Sequence, residues 1–173
     1  LFTRGTSYQL PSTNFDTFIT YVAEGPRWAL YHNYFDPSVV GREVTRASEK
    51  GTPGLAALFM LSQVASSRQD ELIAAAKQML SSWNFSFSVE VAGLVTPAQQ
   101  SAVPAAWPMG HKHFLRSDYS THRPPSYYAS VKMISARTKS AEKVNGEGLK
   151  SWFLSDGMTY IVKQGNEYYA NDV

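Results

Sequence analysis

With 173 residues, 43% of them hydrophobic, the chain can bury a real core, as one domain or two small ones. A formal net charge of +2, with no run of Lys or Arg, is too small to argue for nucleic acid as a partner. Cysteine is absent, which removes disulfides, Cys-ligated zinc and thiol nucleophiles, and no apolar run approaches the roughly 18 residues that span a membrane. Ten Tyr, nine Phe and four Trp suit a carbohydrate-binding groove and equally a packed core. The chain opens on Leu1 with no signal peptide and closes on "YYANDV" in strand-like sequence, so both ends read as cuts from a longer polypeptide.

In chain order, the first half reads helical. "STNFDTFITYVAEG" starts with the capping candidates Ser12, Thr13 and Asn14, places Phe15, Phe18, Ile19 and Val22 at helical spacing, and stops at Gly25-Pro26. "GLAALFMLSQVASS" predicts a second helix. In "QDELIAAAKQMLSSW" the residues Leu72, Ile73, Ala76, Met79, Leu80 and Trp83 form one stripe, and Asp70 and Glu71 complement the dipole of the first turn. Residues 92–110, with Pro97, Pro104 and Pro108 and almost no charge, read as a linker between a helical part (1–91) and a strand-rich part (111–173). In "YYASVKMISA", Tyr127, Ala129, Val131 and Met133 face one way and Ser130 and Lys132 the other. "SWFLSDGMTYIVKQGNEYYA" reads as strands broken by turns at Asp156-Gly157 and Gly165-Asn166. Helices first and strands afterwards make the fold class α+β.

Several residues invite chemistry, each with a plainer alternative. Arg42 and Arg46 are spaced i, i+4 and on a helix would project from one face to grip a carboxylate or sulfate; the alternative is a solvated basic face, or Arg42 paired with Glu43 or Glu49. His111 and His113 alternate along a strand, as two metal ligands would, but no third ligand is evident and structural histidines fit as well. "THRPPS" at 121–126 reads as a rigid lead-in to the next strand, with His122 either a base or a turn residue. Glu142 with Glu147 or Asp156 offers carboxylates for a glycosidase, whose required separation sequence does not supply. Phosphate loops, nucleophile elbows and zinc-protease motifs are absent from the sequence.

Three segments, "GREVTR" (41–46), "HRPPSYYASVKMISARTKSAEKVNGEGLKSW" (122–152) and "SDGMTYI" (155–161), occur in the order found in the bacterial family-eight polysaccharide lyases, the chondroitin, hyaluronan and xanthan lyases, which the chain therefore resembles. The resemblance implies an α+β multidomain fragment: the last helices of an α/α toroid, followed by the first strands of an antiparallel β-sandwich. It also implies β-elimination at a uronic acid, in which an Asn neutralises the carboxylate and a Tyr assisted by a His moves the protons. Matched by position, Arg42 would hold the catalytic tyrosine and the leaving oxygen, Glu142 would order that network by pairing with Arg42, and Arg46 and Asn145 would bind the sugar. The family's Asn, His and Tyr belong upstream of the arginine pair and nothing before Arg42 shows their pattern; Tyr31, His32 and Tyr34 align elsewhere. The expectation is a chain inactive alone, whose partners are an acidic polysaccharide and the remainder of the same lyase polypeptide, and not nucleic acid or membrane. The expected setting is secreted or periplasmic in a bacterium. No cofactor is required, and a structural calcium and the choice of glycosaminoglycan stay open. The rival expectation is a non-catalytic carbohydrate-binding or scaffolding β module.

Overall fold

The computed structural model describes residues 5–32, 34–41, 52–65, 67–81, 106–139, 151–165 and 167–168. The chain divides into two compact units, Leu1–Arg27 with Thr52–Trp107 and Trp28–Gly51 with Pro108–Val173.

In the first unit, α1 spans Ser12–Glu24, α2 Thr52–Val64 and α3 Gln69–Ser81. Ser12, Thr13 and Asn14 do begin α1, but without a side-chain cap: Pro11 holds the N-cap position, where its fixed φ suits a helix start and its carbonyl accepts from Phe15. The buried side of α1 is Ile19 and Ala23, whereas Phe18 is 42% exposed, so the apolar stripe is narrower than the spacing implies. In α3, Leu72, Ile73 and Ala76 are buried as expected, joined by Ala75; the side chains of Met79 and Leu80, and Trp83, lie outside the described residues. The acidic first turn of α3 does more than complement a dipole. Glu71 takes Arg27 at 2.8 Å and Arg68 at 2.6 Å, and Arg68 reaches on to Glu24 at 2.7 Å, tying the end of α1 to the start of α3.

The second unit is a four-stranded antiparallel sheet in the order β3-β4-β5-β6, with β3 Gly110–Phe114, β4 Tyr119–Arg123, β5 Tyr128–Lys132 and β6 Met158–Val162. It also includes the short hairpin of β1 (Leu30–Tyr31) and β2 (Tyr34–Phe35), followed by a 3-10 turn over Pro37–Val39. The period-two alternation in β5 is present as read, but the covered side is the Tyr128 and Ser130 side. Across the sheet that face presents Tyr119, Thr121, Arg123, Tyr128, Ser130, Tyr160 and Val162, all buried. Tyr128, Leu154, Tyr160 and Val162, with Tyr31 against them, form its apolar part.

Of the strands expected across 151–170, one forms among the described residues. Ser151–Ser155 is a run of turns, because Leu154 and Asp156 donate back to Ser151 and Phe153, and Gly157 (φ +82°) then starts β6. Gly165 (φ +106°) ends it, and a Cβ there would stand 2.7 Å from the ring of Tyr34, so only glycine admits the hairpin so close to the turn.

Candidate functional site

Arg42, Arg46, Glu142 and Asn145 all lie outside the described residues, as does the rest of the 140–150 loop. What the structure shows is how the stems of those two segments are held: Gly41 precedes Arg42, and Lys139 and Ser151 flank the loop.

The stem before Arg42 is fixed by Asp36, which is 3% exposed. Its Oδ1 accepts from the backbone N–H of Ser38 at 2.9 Å and from Ser38 Oγ at 2.8 Å, capping the 3-10 turn, with Pro37 set as a good first residue. Its Oδ2 accepts from the hydroxyls of Tyr119 at 2.6 Å and Tyr128 at 2.7 Å, and the two hydroxyl oxygens are 2.5 Å apart. Burial, and after it the negative charge of Asp36, push both hydroxyls far above the ordinary tyrosine range. They stay protonated and serve as donors. Tyr119 and Tyr128 start from opposite ends of the β4–β5 pair, roughly 13 Å apart along the strands at ~3.3 Å per residue. The pair between them is Thr121 with Ser130, small enough for the rings to converge above it.

Arg123, 1% exposed, closes the other end of this face. Its guanidinium lies 5.0 Å from the centre of the Tyr128 ring, donates to the Trp28 carbonyl at 3.0 Å and also donates to the Leu30 carbonyl. The fork geometry of arginine lets one group hold two carbonyls and a ring together, which a lysine ammonium would not reproduce.

The stem before the 140–150 loop is fixed by Asp118, a non-glycine residue at φ +48°. Its carboxylate accepts from Ser135 Oγ at 2.5 Å and Thr138 Oγ1 at 3.2 Å, and pairs with Arg137. The Ser135 hydrogen bond, followed by those of Arg137 and Thr138, holds its carboxyl below the usual range. Lys132 Nζ ties the same corner by donating to the Ser117 carbonyl. On the hairpin, His32 stands at φ +55° with its ring edge-on to Tyr31, and burial pushes its imidazole down despite a hydrogen bond to the Lys163 backbone. Glu167 accepts from the N–H groups of Lys163, Gln164 and Gly165 at 2.6–2.9 Å; burial raises its carboxyl, and these donors together bring it below the ordinary value.

His111 and His113 do share the exposed face of β3. His111 faces His122 across the ladder with ring centres 6.3 Å apart, and His113 Nδ1 bonds Ser120 Oγ at 2.6 Å. No group of three or more potential metal ligands gathers among the described residues.

The Asp36 and Asp118 clusters are scaffolding chemistry: carboxylates satisfied by neutral donors and a surface arginine, holding chain segments in place. In the sequence Asp36 is marked only by its place before Pro37. The pointer available was the tyrosines of the strand-rich part, Tyr119, Tyr127 and Tyr128; which of them turn inward depends on a register that only the paired strands reveal.

Helices followed by an antiparallel sheet that its own upstream hairpin partly covers define the chain as α+β, with a β part built around buried hydrogen bonds. Residues 109–172 match the model of polysaccharide lyase family 8, super-sandwich domain, and the resemblance drawn from the sequence stands on that match. The chain is similar to chondroitinase-AC of Pedobacter heparinus, 44% identical over 59 residues, 34% of this chain and 8% of that protein. It is similar to hyaluronate lyase of Thermasporomyces composti, 39% identical over 70 residues, 39% of this chain and 9% of that one. Its fold is that of the Streptomyces coelicolor A3 chondroitin AC lyase solved in complex with chondroitin sulphate: TM-score 0.81, 19% identity, covering 94% of this chain and 25% of that one. The chain thus spans a small part of the length of the curated relatives it matches.

Proposed function

We propose that the chain is part of a polysaccharide lyase that cleaves a uronic-acid-containing glycosaminoglycan by β-elimination, chondroitin sulfate first and hyaluronan second. The observation that carries this reading is the family match across residues 109–172, the region that includes the sheet and the Glu142/Asn145 loop. The similarity to a chondroitinase and a hyaluronate lyase supports the substrate class. In this reading the helices are the last of an α/α toroid and the sheet is the start of the central β-sandwich.

The chemistry assigned to this chain is positioning and charge stabilisation. When the C5 proton leaves, negative charge builds on the uronate carboxylate and the departing glycosidic oxygen, and fixed donors aimed there lower the barrier. Arg42 supplies such a donor at the leaving oxygen and orients the catalytic tyrosine, Glu142 holds Arg42 in place, and Arg46 and Asn145 bind the sugar. The Asn, His and Tyr that neutralise the carboxylate and move protons come from the polypeptide upstream. The reaction requires no cofactor, and a polymeric acidic substrate supports a secreted or periplasmic setting.

The test is absorbance of the unsaturated uronate. The 173-residue chain alone should give none; the full polypeptide that carries it should give a steady rise, which Arg42→Ala reduces by about 100-fold or more with its circular dichroism unchanged. Turnover by the 173 residues alone would sink the assignment of the base to the upstream region. New reducing ends without a double bond would mean hydrolysis.

A further inference from the structure

Arg42 and Glu142 are a hundred residues apart in sequence, and both roles assigned above require them to meet at one place. The described residues show what sets the two stems. Asp36, six residues before Arg42, receives the Tyr119 hydroxyl at 2.6 Å. Ser135, Arg137 and Thr138, which lead into the 140–150 loop, are all gathered by the Asp118 carboxylate. Asp118 and Tyr119 are consecutive. One residue sits in the left-handed region at φ +48° and the next opens β4, so their side chains serve different segments. Met133 N–H donating to the Asp118 carbonyl at 2.8 Å fixes the backbone of the pair to the end of β5.

We infer that the Asp118-Tyr119 dipeptide is a positioning element of the lyase site, registering the stem of the arginine segment against the stem of the Glu142/Asn145 loop. The inference rests on the function proposed above and adds a role to residues that touch no substrate. Tyr119 acts through Asp36 on the segment entering Arg42, and Asp118 acts through Ser135, Arg137 and Thr138 on the loop. A merely structural pair would make the protein less stable when cut. A registering pair also lowers turnover per folded molecule, because an error of about 1 Å between reacting groups costs on the order of a hundredfold in rate.

Two measurements test it. Hydrogen exchange on the 173-residue chain reads the tethers directly: Tyr119→Phe should speed exchange across residues 37–41, and Asp118→Asn across 135–139, with α3 unchanged. Unchanged exchange in those stems overturns the inference without reference to activity. In the full polypeptide, each substitution should lower kcat by about tenfold or more while KM moves less than about twofold. Because both cut the same registration, the double variant should fall well short of the hundredfold product of the two. Losses that simply multiply, kcat per folded molecule equal to wild type, or an equal kcat loss in Leu72→Val, a core variant of α3 in the other compact unit, each overturn it. Arg42→Ala separates the failures: full turnover there removes the function reading, whereas its loss beside an unaffected Tyr119→Phe removes only this inference.

Discussion

At the scale of single residues, the buried carboxylate Asp36 is satisfied by four donors: two from Ser38 and the hydroxyls of Tyr119 and Tyr128. Tyr128→Phe keeps the ring and its packing but takes one donor from a buried charge, so urea unfolding should show a loss of about 1.5–3 kcal/mol. A loss below about 0.5 kcal/mol would mean that Tyr119 and Ser38 already suffice. His32 gives a pH prediction. Its imidazole is pushed down in the folded protein, chiefly by burial. The unfolded chain therefore binds the proton more readily, and stability falls as pH drops below about 6.5, the ordinary histidine value. The Asp118 and Glu167 carboxyls, held low, lose their contributions only in more acid solution. Asn suits the φ of +55° at this position, so His32→Asn should flatten the pH 5–7 part of the stability profile; an unchanged slope would assign it to another group.

At the scale of elements, the covered face of the sheet holds hydroxyls where a β-sandwich face more often holds aliphatic side chains. Thr121 Oγ1 and Ser130 Oγ are buried there with no hydrogen-bond partner among the described residues. Removing such a group while keeping its shape is neutral or favourable. Thr121→Val should accordingly leave stability unchanged or raise it by about 1 kcal/mol in chemical denaturation, and a drop of that size would show that the hydroxyl is paired through water. This face also marks how far sequence reading went. The alternation in β5 and the helical spacing in α1 and α3 follow from side-chain geometry alone, so they were legible. That Tyr128 and Ser130 turn inward was not, because apolar content points to Ala129 and Val131. The decision came from Asp36, 92 positions before Tyr128, and from Arg123 on the neighbouring strand. Likewise Glu71 was legible as a first-turn acid, but its ion pair with Arg27, 44 positions away, depends on where the end of α1 falls.

At the scale of the whole molecule, the motifs at 41–46, 122–152 and 155–161 carried the resemblance, and the last two lie within the family match over residues 109–172. The four site residues named from those motifs lie in 42–50 and 140–150, outside the described residues, and the stem around Asp36 that leads to Arg42 carried no motif. That stem became visible only through bonds between residues 83 and 92 positions apart, from Asp36 to Tyr119 and Tyr128. A join made this way tolerates no sliding. If the 28–39 segment shifted along the sheet by one residue, about 3.3 Å, Asp36 would lose both phenols and Arg123 would lose its two carbonyls together. An oily face would merely repack after such a shift. Here every intermediate register leaves buried charges bare, so the segment leading to Arg42 either seats in one position or does not seat at all.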